Sequence, residues 1–254
     1  MKKTFCLVLA FVLVFACFAG YAFAASDLVI ATSPDFPPFE ELKSNGSVEG
    51  IEIDILNLIC EKLGMQLVIE QVDFDSVLPG VQAGKYDVGV SGISVTEQRQ
   101  KNVLFTDPYC LAAQAIVVVD GSSISCKADL DGKKVSVQTG TTAESFCMSE
   151  GYKVSSFVAN SDAEMALVTE KVDAWVIDDL TAAEMVAAYN KTADVKLVIL
   201  EEAMTTEPYA FAFAKTNTEL CAKVNEALDA LVKDGTVAET FEKYEAPYTS
   251  PIAD

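Results

Sequence analysis

Histidine occurs nowhere in the 254-residue chain. Its absence excludes the Ser-His-Asp and Cys-His nucleophile systems, His-containing metal sites and the usual general base at neutral pH. Arginine is almost as scarce: of the 18 basic residues, only Arg99 carries a guanidinium. Positive charge of any kind is outnumbered by 38 acidic residues, giving a formal net charge of −20, so nucleic acid and anionic lipid surfaces are poor partners. The plain reading of such acidity is a solvated surface that keeps an exported protein soluble. C-x-x-C spacing and low-complexity linkers are missing too. Beyond the first two dozen residues lie Cys60, Cys110, Cys126, Cys147 and Cys221, an odd set that cannot pair completely within one chain. Most of them read as small buried hydrophobes, with one disulfide, Cys126 to Cys147, open to an oxidising compartment.

What is present begins with a leader. Lys2 and Lys3 precede an apolar stretch over 4–18, and Ala22-Phe23-Ala24 forms a small-residue cleavage site. These features predict a signal peptide over 1–24, because the apolar run is short for a membrane span. Val14-Phe15-Ala16-Cys17 resembles a lipobox with an unsuitable Phe, which leaves lipid anchoring through Cys17 as the alternative to release after Ala24. Losing Lys2 and Lys3 from the 18 basic residues leaves 16 against 38 acidic ones, a formal charge of about −22.

The rest of the chain alternates short β-branched runs with amphipathic segments, the rhythm of an α/β architecture. Strands are predicted over 27–32, 65–71 and 86–90, and helices over 50–63 and 74–83, with a short helix starting near Thr96. The run LAAQAIVVV, 111–119, is too continuous for a half-exposed strand and suggests a buried connection. A second set follows: strands over 134–137, 153–157, 174–177 and 195–199, with helices over 142–150, 162–169 and 180–189. YAFAFA, 209–214, alternates like a further strand, and 219–232 and 237–244 are helical. Two such sets create a cleft between lobes, faced by strand C-termini and helix N-termini.

Four loops at those ends hold the informative residues. SPDFPPFE, 33–40, is stiffened by prolines and presents Phe36, while Phe39 reads equally well as core. The stretch 73–75 offers Phe74, ligand platform or core residue at even odds; two phenyl faces would sandwich a flat or apolar group at low entropy cost. SGISVTEQR, 91–99, supplies Ser91, Gly92, Ser94 and the planar fork of Arg99, whose geometry matches a carboxylate. QTGTT, 138–142, ends a strand and opens a helix, so Gln138, Thr141 and Thr142 surround an anion-favouring N-terminus. VIDD, 176–179, ends another strand, and its aspartates either cap the next helix or face an ammonium group. Carboxylate binders opposite an acid describe a receptor for a zwitterion.

In order along the chain, SPDFPPFE, GIEIDILNLICEKLG, DFDSVLPGVQAGKYDVGVSGISVTEQRQKNVLFTDPY, VSVQTGTTAE and VDAWVIDD resemble the polar amino acid family of bacterial periplasmic solute-binding proteins, which serve ABC transporters. The resemblance implies a type-II periplasmic binding protein fold: two α/β lobes joined by a two-strand hinge, with the ligand between them. Lobe one would comprise 25–111 and 208–254, and lobe two 112–207. It further implies that Arg99 clamps the ligand carboxylate with help from Ser94 and Thr142. The Gly92 carbonyl, Ser94 and Asp178 would hold the α-ammonium, and Phe36 and Phe74 would flank the ligand. Relatives that bind basic side chains often carry an acid where Ser33 stands; with Gln138 uncharged and Ile177 apolar, a neutral amino acid is expected. A disulfide seen at the position of Cys60 in some relatives is not expected, since Leu67 occupies the partner's place. The implied protein is a monomer in the periplasm or an equivalent extracytoplasmic space, without metal or cofactor, meeting an amino acid and a membrane-embedded ABC permease. The alternatives are a secreted enzyme on the same scaffold, such as a cyclohexadienyl dehydratase using Asp178, and the input subunit of a sensor.

Overall fold

The computed structural model describes residues 26–252; the predicted leader, its cleavage site and Cys17 lie outside the described residues. The chain opens with β1 (Ser26–Thr32), a small meander of β2 (Asp35–Phe36), β3 (Glu40–Leu42) and β4 (Val48–Glu49), then α1 (Ile51–Leu63) and β5 (Met65–Gln71). Next come α2 (Phe74–Gln82), β6 (Val88–Gly89), α3 (Glu97–Gln100), β7 (Val103–Phe105), β8 (Cys110–Ala112) and β9 (Gln114–Val119). After a 3-10 turn (Lys127–Leu130) follow β10 (Lys134–Gln138), α4 (Thr142–Ser149), β11 (Lys153–Phe157), α5 (Asn160–Val168) and β12 (Ala174–Asp178). The last elements are α6 (Asp179–Asn190), β13 (Leu197–Ile199), β14 (Glu207–Tyr209), β15 (Ala212–Ala214), α7 (Thr218–Lys233) and α8 (Thr236–Lys243).

Two five-stranded sheets result, ordered β5-β1-β6-β15-β7 and β11-β10-β12-β9-β13. In each, three parallel strands meet an antiparallel fourth: β15 runs against β6 in the first lobe, and β9 against β12 in the second. The lobes are joined by an antiparallel pair, β8 with β14, in which Tyr209 stands opposite Cys110 and Glu207 opposite Ala112. This is a two-lobed α/β fold with a two-strand hinge.

Local sequence explains the elements that frame the cleft. Ile51, Ile55 and Ile59 recur every four residues, so one face of α1 is apolar and fully buried on the first sheet. Gly64 ends that helix in the left-handed conformation, its N–H returning to the carbonyls of Cys60 and Glu61. In the second lobe Trp175 and Ile177 on β12 pack with Val117 and Leu167, while Val176 faces the opposite layer with Val135 and Val137. Adjacent residues of β12 thus serve two cores, which is why the strand reads as a continuous apolar run.

Several elements depart from the sequence prediction. The single strand expected over 209–214 is two strands in different sheets: Tyr209 ends the hinge strand β14, and β15 joins the first sheet. Tyr209, Ala210, Phe211, Ala212 and Phe213 are all fully buried, so the alternation of large and small residues reflects packing on two sides rather than an exposed face. The run 111–119 breaks at Ala113, whose N–H donates to Asp179 Oδ1 at 3.2 Å, separating hinge from sheet. The strand expected over 86–90 shrinks to Val88–Gly89. Cys126 and Cys147 form no disulfide: all five described cysteines are free. Cys147 is buried in the second-lobe core, and Cys126 sits at the 3-10 turn with its Sγ 3.6 Å from Asp129 Oδ2. Among the described residues, no helix is long and apolar enough to cross a membrane.

Candidate ligand-binding site

The C-terminal ends of β1 and β6 in the first lobe, and of β10 and β12 in the second, face one cleft. Behind β1, Phe36 packs against the apolar cores of both lobes; its ring stacks on Phe39 at 5.6 Å and lies 6.4 Å from that of Tyr209. Phe39 is fully buried and is a core residue. Phe74 starts α2 and is half-buried, with the Arg99 guanidinium carbon 5.7 Å from its ring centroid, within cation–π range.

The loop after β6 is held from beneath. Ser91 Oγ donates to Glu40 Oε1 at 2.8 Å, the Gly92 N–H donates to Glu52 Oε2 at 3.0 Å, and Tyr109 donates its hydroxyl to Glu52 Oε1 at 2.6 Å. Both glutamates are fully buried, and burial raises both carboxyls; Glu40 goes well above its ordinary value because Glu52 adds a like charge. Two carboxyls at this depth oppose each other's ionisation, so they titrate as a pair. Gly92 adopts φ +52°, and a Cβ there would lie 2.5 Å from Phe36 Cε1. Only glycine lets the ring close over this loop.

Arg99 is placed by a cap and a turn. Thr96 Oγ1 accepts from the Arg99 N–H at 3.1 Å, starting α3, and Arg99 Nη1 donates back to the Ser94 carbonyl at 3.0 Å. Its Nη2 reaches the second lobe, donating to the Gly140 carbonyl at 3.1 Å. Burial pulls the guanidinium's pKa down, while Glu207, Asp178 and Tyr209 pull it up. Arginine nevertheless stays charged.

In the second lobe, Thr141 caps α4: its Oγ1 accepts from the Glu144 N–H at 3.1 Å and donates to the Gln138 carbonyl at 2.7 Å. Thr142 Oγ1 stands 3.5 Å from Ser94 Oγ across the cleft and accepts from Gln114 Nε2 at 3.4 Å. Asp178, at the end of β12, receives hydrogen bonds from Gln114 Nε2 and the Tyr209 hydroxyl. Burial raises its carboxyl to about 7, outweighing these two donors, with Glu207 and Asp179 adding repulsion. Asp179, the other aspartate of VIDD, faces the hinge, accepting from the N–H groups of Ala113 and Leu180.

Phe36, Phe74, Ser91, Gly92, Ser94, Arg99, Gln138, Thr141, Thr142 and Asp178 line one partly open pocket in the cleft, together with Ala143, Asn160, Val176 and Ile177. Not all of them have free polar atoms. The hydroxyls of Ser91 and Thr141 already bond within their own lobes. The Gln138 amide is fully engaged: its Nε2 donates to Val158 O and Asp35, and its Oε1 accepts from Asn160 Nδ2. Sequence reading missed Gln114, Asn160 and Tyr209. Gln114 carried a signal, as the one polar residue inside LAAQAIVVV; Asn160 and Tyr209 look ordinary in the sequence. It also passed over Asp35, which lies inside a motif noted for its aromatics.

A guanidinium, the Ser94 and Thr142 hydroxyls and a buried carboxyl group around one pocket complement a small dipolar solute. Residues 28–247 match the model of the bacterial extracellular solute-binding proteins, family 3. The chain belongs to this family. Among its members, the L-arginine-binding protein of Pseudomonas aeruginosa is 30% identical over 234 residues, covering 87% of this chain and 89% of that protein. Two solved structures of an ancestral arginine-binding protein are each 39% identical to this chain. The one bound to arginine superposes with a TM-score of 0.80, covering 86% of this chain and 98% of that one. The one bound to glutamine gives 0.81, covering 87% and 99%. Family membership makes this chain an extracytoplasmic solute-binding protein.

Proposed function

We propose that the protein is a monomeric receptor that closes around an α-amino acid and delivers it to a membrane-embedded ABC permease. One observation carries the reading: Arg99 on the first lobe and Asp178 on the second line the same cleft pocket, with apolar rings at its side. A carboxylate on the Arg99 fork and an ammonium at Asp178 would tie one zwitterion to both lobes, so the ligand itself stabilises closure. The lobes are taken as 25–111 with 208–254, and 112–207. The ten sequence-selected residues are the binding set, Gln138 acting through its bonds to Asp35 and Asn160 rather than by a free amide.

For the side chain, a cationic group of the arginine type is the better fit. Ser33 is neutral, but Asp35 places a carboxylate beside Gln138 and Asn160, directly behind the cavity wall, and burial raises its carboxyl against the pull of Asn160, Ser33 and Gln138. Its field favours a positive side chain, and the relatives named above include arginine-binding proteins. The neutral amino acid expected from Ser33, Gln138 and Ile177 is the second reading. The amides of Gln138 and Asn160 at the wall and the ancestral relative bound to glutamine favour it. Receptor is preferred to enzyme because the one carboxylate lining the cavity, Asp178, is tied by Gln114 and Tyr209 and faces the site of an ammonium.

A thermal-shift panel of the common amino acids on the purified mature protein tests the reading. Arginine should give the largest stabilisation. Response to glutamine and asparagine alone would move the assignment to the second reading. No response to any amino acid would reject the receptor.

A further inference from the structure

Helix α5 begins at Asn160 without a cap of its own, because the residue in the capping position is Ala159. Helix starts leave N–H groups without intrahelical partners, and a methyl group cannot accept from them. The acceptor comes from the other lobe. Asp35 Oδ2, on β2 of the first lobe, accepts from the Asn160 N–H at 2.8 Å, although 125 positions separate the two residues. The same carboxylate accepts from Gln138 Nε2 at 3.2 Å through Oδ2 and 3.4 Å through Oδ1, and the Asp35 carbonyl accepts from Asn160 Nδ2 at 3.4 Å. Among the described residues of its own lobe, its one side-chain partner is Ser33 Oγ, at 3.0 Å.

We infer that Asp35 is an inter-lobe latch: it caps α5 of the second lobe in trans, clamps Gln138, and so sets how long the closed cleft retains its ligand. The arrangement suits a latch rather than ordinary packing. Every cross-cleft bond of Asp35 ends on the second lobe, so opening breaks all of them together. Hydrogen bonds to an ionised group are the strong ones, and here two second-lobe groups, one backbone and one amide, converge on one carboxylate. The latch touches no ligand-facing polar atom that a zwitterion needs, since Gln138 spends its amide on Asp35, Val158 and Asn160. Asp35 is therefore a positioning residue, acting through closure. Breaking bonds made only in the closed form accelerates opening and leaves encounter with the open cleft alone, so the effect belongs in the dissociation rate.

The inference rests on the receptor reading, and its test separates the two. Asp35→Ala and Asp35→Asn are compared with the unaltered mature protein by stopped-flow with L-arginine and L-glutamine, and by exchange of the Asn160 amide hydrogen with solvent. Both variants remove the carboxylate's field on a cationic side chain, so the latch is read from the difference between them. The alanine variant should release the bound amino acid about tenfold faster or more than the unaltered protein and several-fold faster than the asparagine variant, with association differing less than about twofold between the two variants. Equal release from both overturns the latch. The Asn160 amide should exchange correspondingly faster, and asparagine, which keeps one good capping oxygen, should fall between. A purely structural role would not split the two rate constants. Unchanged dissociation in the alanine variant overturns the latch. Should neither amino acid bind the unaltered protein, the receptor reading falls, and amide exchange in the free protein decides: faster in the variant supports the latch, equal rates overturn it.

Discussion

Arg99 Nη2, on the first lobe, donates to the carbonyl oxygen of Gly140, on the second, at 3.1 Å. The guanidinium that faces the cavity is therefore also a bond between the lobes, and ligand clamping and closure share one side chain. A lysine cannot keep both: its ammonium is a point charge without a planar fork, and it loses the paired contacts to Ser94 and Gly140. Arg99→Lys should weaken amino acid binding by about tenfold or more, close to 1.4 kcal/mol, by titration calorimetry. Affinity equal to the unaltered protein would remove Arg99 from the site.

Asp178 should report binding through protons. Burial raises its carboxyl to about 7 in the absence of ligand, so part of the population holds it protonated at neutral pH. An ammonium group arriving beside it favours ionisation, and binding at that pH should release a fraction of a proton per site. Calorimetry in buffers of different ionisation enthalpy measures this directly, and Asp178→Asn should abolish the release and cost about 100-fold in affinity. In the free protein the sign is fixed by the raised value: the stability Asp178 contributes is complete below its ordinary 3.8 and is lost as pH rises through about 7. Binding without any proton release would contradict the assignment.

The buried pair Glu40 and Glu52 predicts a second pH dependence, in the fold rather than the ligand. Glu40 lies well above its ordinary 4.5, so its contribution is complete below that value and declines as pH climbs through the elevated one. Glu40→Gln imitates the protonated partner. Urea midpoints measured across neutral and alkaline pH should slope downward less steeply in the variant than in the unaltered protein. Parallel slopes would show that the pair does not titrate there.

Gly92 is the backbone position with least tolerance at the site. Alanine would meet Phe36 Cε1 at 2.5 Å and must hold φ +52°. Gly92→Ala should destabilise the fold by about 1–3 kcal/mol and displace Phe36, lowering affinity along with stability. Equilibrium denaturation and a crystal structure of the variant check the two effects; a Phe36 ring unmoved in full-affinity protein would refute the steric argument.

The amino-acid sequence alone determined the two α/β sets and the strand-end loops that face the cleft, while the two-strand hinge and the choice of Asp178 over Asp179 came with the family resemblance. Apolar period, strand-end loops and chemical scarcity are properties of neighbouring residues, and Arg99 stands out because the chain uses lysine everywhere else. Tertiary structure alone decided how buried polar groups are satisfied. Tyr209 and Gln114 converge on Asp178, Glu52 supports Gly92 from 40 positions away, and Asp35 caps a helix in the opposite lobe. The same applies to the split of YAFAFA between hinge and sheet, since a residue buried on both sides shows no alternation of exposure. A hydrogen-bond partner distant in the chain leaves no period and no motif, and only the packed fold brings donor and acceptor within reach.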